Sequence, residues 1–135
     1  MAEGPTLDDS VRRRAVLRAG KARVVIEFHD TVTADLIWRA LPLHSVAETW
    51  GDSIHFDTPL KGGRDRTARI NGRAGEVYFW AEDERIVIAW GPTPISRPDE
   101  IRLMRPCNLF AHAIDDASVF DTVTPGEKVS LERIR

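Results

Sequence analysis

Cysteine is almost missing from this chain. Cys107 is the one thiol among 135 residues, so no internal disulfide can form, and a reducing cytoplasm is the expected compartment. Long apolar runs are missing too. Nothing approaches the ~20 residues of a membrane-spanning helix, and no apolar stretch of signal-peptide length follows Arg12-Arg13-Arg14. Charge of one sign is also lacking: the formal net charge is -2 with 30% charged residues. That balance keeps a domain in solution but provides no overall attraction for nucleic acid or an anionic membrane, and neither is expected as a partner. The four histidines never fall at His-x-His or His-x-x-x-His spacing, so no metal or other cofactor is expected. Of the nineteen basic residues sixteen are arginine, a bias that genome composition accounts for as readily as function.

What is present is enough for one core. A chain of this length buries about two-thirds of the surface its unfolded form exposes, without disulfide or metal. Residues 1–10 hold Gly4, Pro5 and three acids with no apolar period and read as a flexible leader, which leaves residues 11–135 as a single domain. Arg12 to Arg18 and Ala22 to Phe28 read as strands joined by a tight turn at Gly20. The triple arginine is either a nucleic-acid or lipid contact or a solvated strand edge, and the neighbouring Asp8 and Asp9 favour the edge. Leu36, Ile37, Ala40 and Leu41 then recur at helical spacing behind Thr31 or Thr33 as N-cap, and Pro42 ends the helix. Trp38 lies near its apolar face as a plug over the end of a sheet.

The stretch from His44 to Pro59 is central. Val46, Glu48 and Trp50 alternate with Ser45, Ala47 and Thr49, then Ile54 and Phe56 with Ser53, His55 and Asp57, and the two runs are hinged at Trp50-Gly51-Asp52. Lys61 to Arg73 holds three glycines and five basic residues against one acid. It is either an anion site or a solvated excursion between strands, and no Walker-type spacing supports the first. Gly75 to Trp80 and Arg85 to Trp90 form a second hairpin. The three prolines of Gly91 to Pro98 demand an ordered surface loop. Asn108 to Ile114 and Lys128 to Arg135 read as strands around a helical turn at Ala117 to Asp121. About eight strands, mostly in hairpins, predict a mainly β fold: a closed eight-stranded β-barrel capped by one or two short helices.

Several segments together resemble a known family. They are Ala40 to Pro59 (ALPLHSVAETWGDSIHFDTP), Gly75-Glu76-Val77-Tyr78, Trp90 to Ser96 (WGPTPIS), Pro106-Cys107-Asn108 and Gly126-Glu127-Lys128-Val129. In that order they resemble the cyclophilin-like domain family of small prokaryotic proteins. The resemblance implies an eight-stranded barrel with a helix at each end and, for most of the family, no established activity. Prolyl isomerases of the same fold use an arginine from the strand after the first helix to polarise the prolyl nitrogen. Here no arginine lies between Arg39 and Arg64, and Asn108 stands where an imidazole would be expected, so an isomerase would need Arg85 or Arg102 to reach in from another strand.

Three functions remain open at this level. The first is binding of a small molecule or peptide in a pocket between the central hairpin and the Trp90 to Pro98 loop. Its walls would be Trp50, Phe56, Tyr78, Trp90 and Thr93, with Glu48, Asp52, His55 and Asn108 as polar groups. The second is an enzyme: an isomerase without the usual arginine, or a carboxylate- or metal-assisted hydrolase built on Glu48, Asp52, His44, His55 and Asp57. Cys107 has no neighbouring base and reads as a small buried hydrophobe. The third is a structural subunit whose barrel face pairs with a neighbour or with a second copy in a homodimer.

Overall fold

The computed structural model describes residues 13–134; the proposed leader, Val11, Arg12 and Arg135 lie outside them. The elements are β1 Arg14–Ala19, β2 Ala22–Phe28, α1 Val32–Ala40, β3 Leu43–Val46, β4 Glu48–Thr49 and β5 Ser53–Asp57. They continue with β6 Arg69–Gly72, β7 Glu76–Trp80, β8 Arg85–Ala89, β9 Ile101–Ala113, a 3-10 helix Ala117–Thr122 and β10 Lys128–Arg133. No helix among them is long and apolar enough to cross a membrane.

The fold is mainly β, but two parts of the expected barrel need correction. The sheet has ten strands, ordered β3-β10-β1-β2-β9-β7-β8-β5-β4 with β6 on the flank of β9, and its hydrogen-bond ladder does not close. Both departures have local causes. The first run of the central hairpin breaks at Ala47, which is fully buried. Its N–H donates to the Glu127 carbonyl and its own carbonyl accepts from Gly126, each at 2.8 Å. β3 therefore pairs with β10 while β4 pairs with β5, and the two edges of the curled sheet are separated by that one residue. The other extra strand, β6, lies in the glycine- and arginine-rich stretch, where a mixed polar pattern hides the pairing.

The hairpins form where the alternation places them. In β1 and β2, Ala15, Leu17 and Ala19 face inward with Val24, Ile26 and Phe28, and Gly20 turns the chain at φ 57. β1 lies between β10 and β2, so the arginines at its start do not mark an edge strand. They are paired instead: Arg13 with Asp35 at 2.8 Å and Arg14 with Glu27 at 3.1 Å. In α1, Thr31 caps the N-terminus by accepting from the Ala34 N–H at 3.0 Å, and Ala34 and Ile37 are buried. Trp38 packs edge-on against Phe28, between the guanidinium groups of Arg13 and Arg133 at 5.6 and 4.7 Å.

The stretch from Lys61 to Arg73 is held by its single acid. Asp65 accepts from Thr33 Oγ1 at 2.6 Å and from the Thr67 N–H at 2.8 Å. Burial alone would raise its pKa, but the bonds from Thr33 and Thr67 outweigh that and hold it below the ordinary carboxylate value. Asn108, fully buried in β9, completes the network. Its amide donates to Thr33 Oγ1 and the Gly63 carbonyl, and its oxygen accepts from the Asp65 N–H. This ordered excursion lies against α1 and β9.

Strand alternation divides the apolar residues into two cores. Ile54 and Phe56 of β5, Val77 and Phe79 of β7, Ile86 and Ile88 of β8 and Phe110 of β9 enter the main core with β1, β2, α1 and β10. Tyr78, Val87, Leu103, Cys107 and Leu109 form a second cluster, with Trp80 packed against it. Each fully buried Leu, Ile, Val or Phe contributes about 1.5–3 kcal/mol, and most of them lie in the main core.

Candidate functional site

The second cluster borders a small concavity lined by Trp50, Ser53, His55, Trp80, Val87, Leu103, Met104 and Cys107. These come from the turn before β5 and from β5, β7, β8 and the first half of β9. The enclosed space is ≈ 20 Å³, room for about one water molecule. Its walls are almost wholly apolar, and Met104, 44% exposed, is the flexible side chain among them.

Two of the lining residues carry notable polar groups. Trp80 Nε1 is buried, and among the described residues it has no hydrogen-bond acceptor. An orphaned buried N–H costs about 1–3 kcal/mol, so it needs a reason to be there. The second residue is His55, whose Nδ1 lies 3.2 Å from Arg85 Nη1. A guanidinium only donates, so Nδ1 accepts and the imidazole proton sits on Nε2. Burial lowers the His55 pKa and the positive Arg85 lowers it further, outweighing Glu48, Asp83 and Asp57. The ring is neutral and lies edge-on to Trp80 at 6.4 Å.

Arg85 is enclosed by acids. Its Nη1 meets Glu48 at 2.8 Å, its Nη2 meets Asp57 at 3.0 Å and its Nε meets Asp83 at 2.9 Å, and its side chain is 16% exposed. With His55 also on Nη1, three of the five N–H donors a guanidinium carries have hydrogen-bond partners, and Asp57 adds an ion pair.

The expected site residues divide into two groups. Trp50 and His55 line the concavity, and Glu48, the register partner of His55, adjoins it through Arg85. The others lie elsewhere. Phe56 is fully buried in the main core. Tyr78 is fully buried too; its hydroxyl donates to Glu76 and accepts from the Arg73 N–H at 3.1 Å, and burial followed by Glu76 raises its pKa. Trp90 donates Nε1–H to Asp121 at 2.6 Å and packs on Phe120. Thr93 and Asn108 are buried in hydrogen-bond networks that shape loops. Asp52 docks the hinge on the proline-rich loop: its N–H donates to the Pro92 carbonyl and its carbonyl accepts from the Trp90 N–H, each at 2.9 Å. That loop is therefore joined to the hinge by backbone bonds, and the concavity is walled by β5, β7, β8 and β9 instead.

Trp80, Val87, Leu103 and Met104 lie outside the expected set, while Arg85, expected only as an isomerase's arginine reaching in from another strand, stands beside His55. One signal was available, since Trp80 falls two residues beyond Tyr78 on the same face of β7. Cys107 is 2% exposed, and its pKa is pushed up to about 12 by burial and then by Glu82. It forms apolar wall and has no thiolate character at neutral pH.

His29 and His112, far apart in sequence, meet with Nε2 and Nδ1 2.9 Å apart. One nitrogen must carry the hydrogen and the other must not. Among the described residues no three of His, Cys, Asp and Glu converge as a metal-ligand set. Burial, then His112, holds the His29 pKa below its ordinary 6.5, as burial and Arg85 do for His55. Below that value the unfolded chain binds protons that the folded chain refuses, so stability falls on acidification until the folded values are passed. Urea midpoints taken at about pH 7.5 and pH 5.5 are expected to show this loss, and His29→Gln should make it shallower.

No protein of curated function matches the chain. Among solved structures, the hypothetical protein AF2241 from Archaeoglobus fulgidus, solved in solution, is similar at 28% identity with a TM-score of 0.78, over 99% of this chain and 100% of that one. Residues 13–132 match the family model described as Cyclophilin-like. The curled sheet, the capping helices and this match over most of the chain make it a member of the cyclophilin-like family.

Proposed function

We propose that the chain is a binding module that takes the apolar group of a small molecule or peptide at the concavity beside Trp50, His55 and Trp80. The observation that carries this reading is the buried Trp80 Nε1–H without an acceptor, on a residue that lines an otherwise apolar concavity. A ligand oxygen would relieve that cost, and neutral His55, another lining residue, carries a second donor at Nε2. At ≈ 20 Å³ the space is far below the roughly 300 Å³ at which ligand pockets begin. Entry therefore requires Met104 to swing aside, which its three rotatable bonds allow. The test is a titration with small uncharged amides followed through the indole N–H resonances. The Trp80 resonance is expected to shift downfield while those of Trp38 and Trp90 stay fixed, and Trp80→Phe is expected to abolish binding. Uniform or absent shifts would overturn the reading.

A second reading, prolyl isomerase, gains one observation: Arg85 reaches the His55 side of the concavity from β8. Its acid partners already hold it. It can polarise a prolyl nitrogen only by giving one up, so no acceleration of an Ala-Pro peptide over the spontaneous rate is expected.

A further inference from the structure

The rim of the concavity says more about the ligand than its walls do. Glu48, Asp57 and Asp83 converge on one guanidinium at 2.8 to 3.0 Å. Three carboxylates against a single cation leave this flank negative by two charges. The excess faces water, because the carboxylate side chains are 51%, 69% and 52% exposed while Arg85 is 16% exposed. The cation is thus covered and the acids present the charge. His55 links this flank to the concavity, lining it on one side and bonding Arg85 on the other.

From this we infer that the ligand is cationic beside its apolar group. It is a short basic segment or amine whose apolar part enters between Trp50, Trp80 and Met104, with its carbonyl on the Trp80 and His55 donors and its ammonium or guanidinium over Glu48 and Asp57. The inference rests on the reading of the concavity as the binding site. Three features make the pattern: apolar walls, an unpartnered Trp80 Nε1–H on a lining residue, and an acidic flank on the β4, β5 and β8 side. Arg105 follows Met104 on β9, so the acidic excess lies on one flank only. That asymmetry gives the ligand a direction, with its charged end toward β4 and its neutral end toward β9. On the β4, β5 and β8 flank an anionic ligand would meet repulsion, and the one guanidinium there is already held by three acids.

The test uses three capped dipeptides differing in one charge: acetyl-leucyl-lysine amide, acetyl-leucyl-glutamine amide and acetyl-leucyl-glutamate amide. The full-length protein is titrated at low ionic strength and the Trp80 indole resonance is followed. The lysine peptide is expected to bind about tenfold more tightly than the glutamate peptide, with the glutamine peptide between, and the spread should shrink at about 0.5 M salt. In the double variant Glu48→Gln, Asp57→Asn the order is expected to collapse or invert, because Arg85 is then released from two acids. Equal binding of all three peptides, or a lysine preference that survives in the double variant, would overturn the inference while leaving the site intact. Binding of none would overturn both.

Discussion

Asn108→Ala is expected to lower the unfolding free energy by about 3 kcal/mol, read as a fall in urea midpoint at unchanged slope. The side chain is fully buried and bonds at 3.0 Å to Thr33 Oγ1, at 2.8 Å to the Gly63 carbonyl and at 2.9 Å to the Asp65 N–H. Truncation leaves the Gly63 carbonyl and the Asp65 N–H without these bonds, at about 1–3 kcal/mol each where water cannot reach them. Asn108→Asp separates the network from simple volume loss, because it keeps the size and the acceptor. It also places a second carboxylate on the group of Thr33, Asp65 and the Gly63 carbonyl. That variant is expected to be the less stable of the two at neutral pH and to recover part of its loss as the pH falls and the new acid protonates. If both variants were near wild type, the network would not hold the Lys61 to Arg73 excursion.

Gly51→Ala is the second large effect, about 3 kcal/mol or more. The residue sits at φ 60, where a Cβ costs about 1–2 kcal/mol. That atom would also stand 2.8 Å from the Pro92 carbonyl oxygen and 2.9 Å from Thr93 Cα. Both neighbours are backbone, so relief requires the hinge to leave the proline-rich loop and carry Trp50 with it. Ligand binding should then weaken along with stability. Gly63→Ala is the control, since nothing lies within 4 Å of its added Cβ, and it is expected to stay within roughly 0.5 kcal/mol of wild type. Equal losses in the two variants would mean that glycine replacement as such, not the hinge contact, is responsible.

Hairpins were legible because their signals are local. Alternation fixes which of Leu17, Val24 and Ile26 face inward, and helical spacing behind Thr31 fixes α1. Strand count was not legible, since a break at one buried alanine and a polar strand at Arg69–Gly72 show no period. The site divided for the same reason. Trp50, Glu48 and His55 lie on the distinctive central stretch; Trp50 and His55 line the concavity, and Glu48 meets His55 through Arg85. Phe56 and Tyr78 are equally apolar to the eye, and only the register of β5 and β7 sends one to the main core and the other to the second cluster. The partnership of Arg85 with Glu48, and of His29 with His112, spans residues whose separation no local pattern encodes.

The claim on which the account depends is that Trp80 is placed for a ligand and not for packing alone. Chemical unfolding of Trp80→Phe tests it most directly, because phenylalanine keeps an aromatic wall and removes the unpaired N–H. If that N–H is an uncompensated cost in the free protein, the variant should be as stable as wild type or up to about 1 kcal/mol more stable. A loss of about 3 kcal/mol, the size expected for damage to a well-packed core tryptophan, would contradict the account.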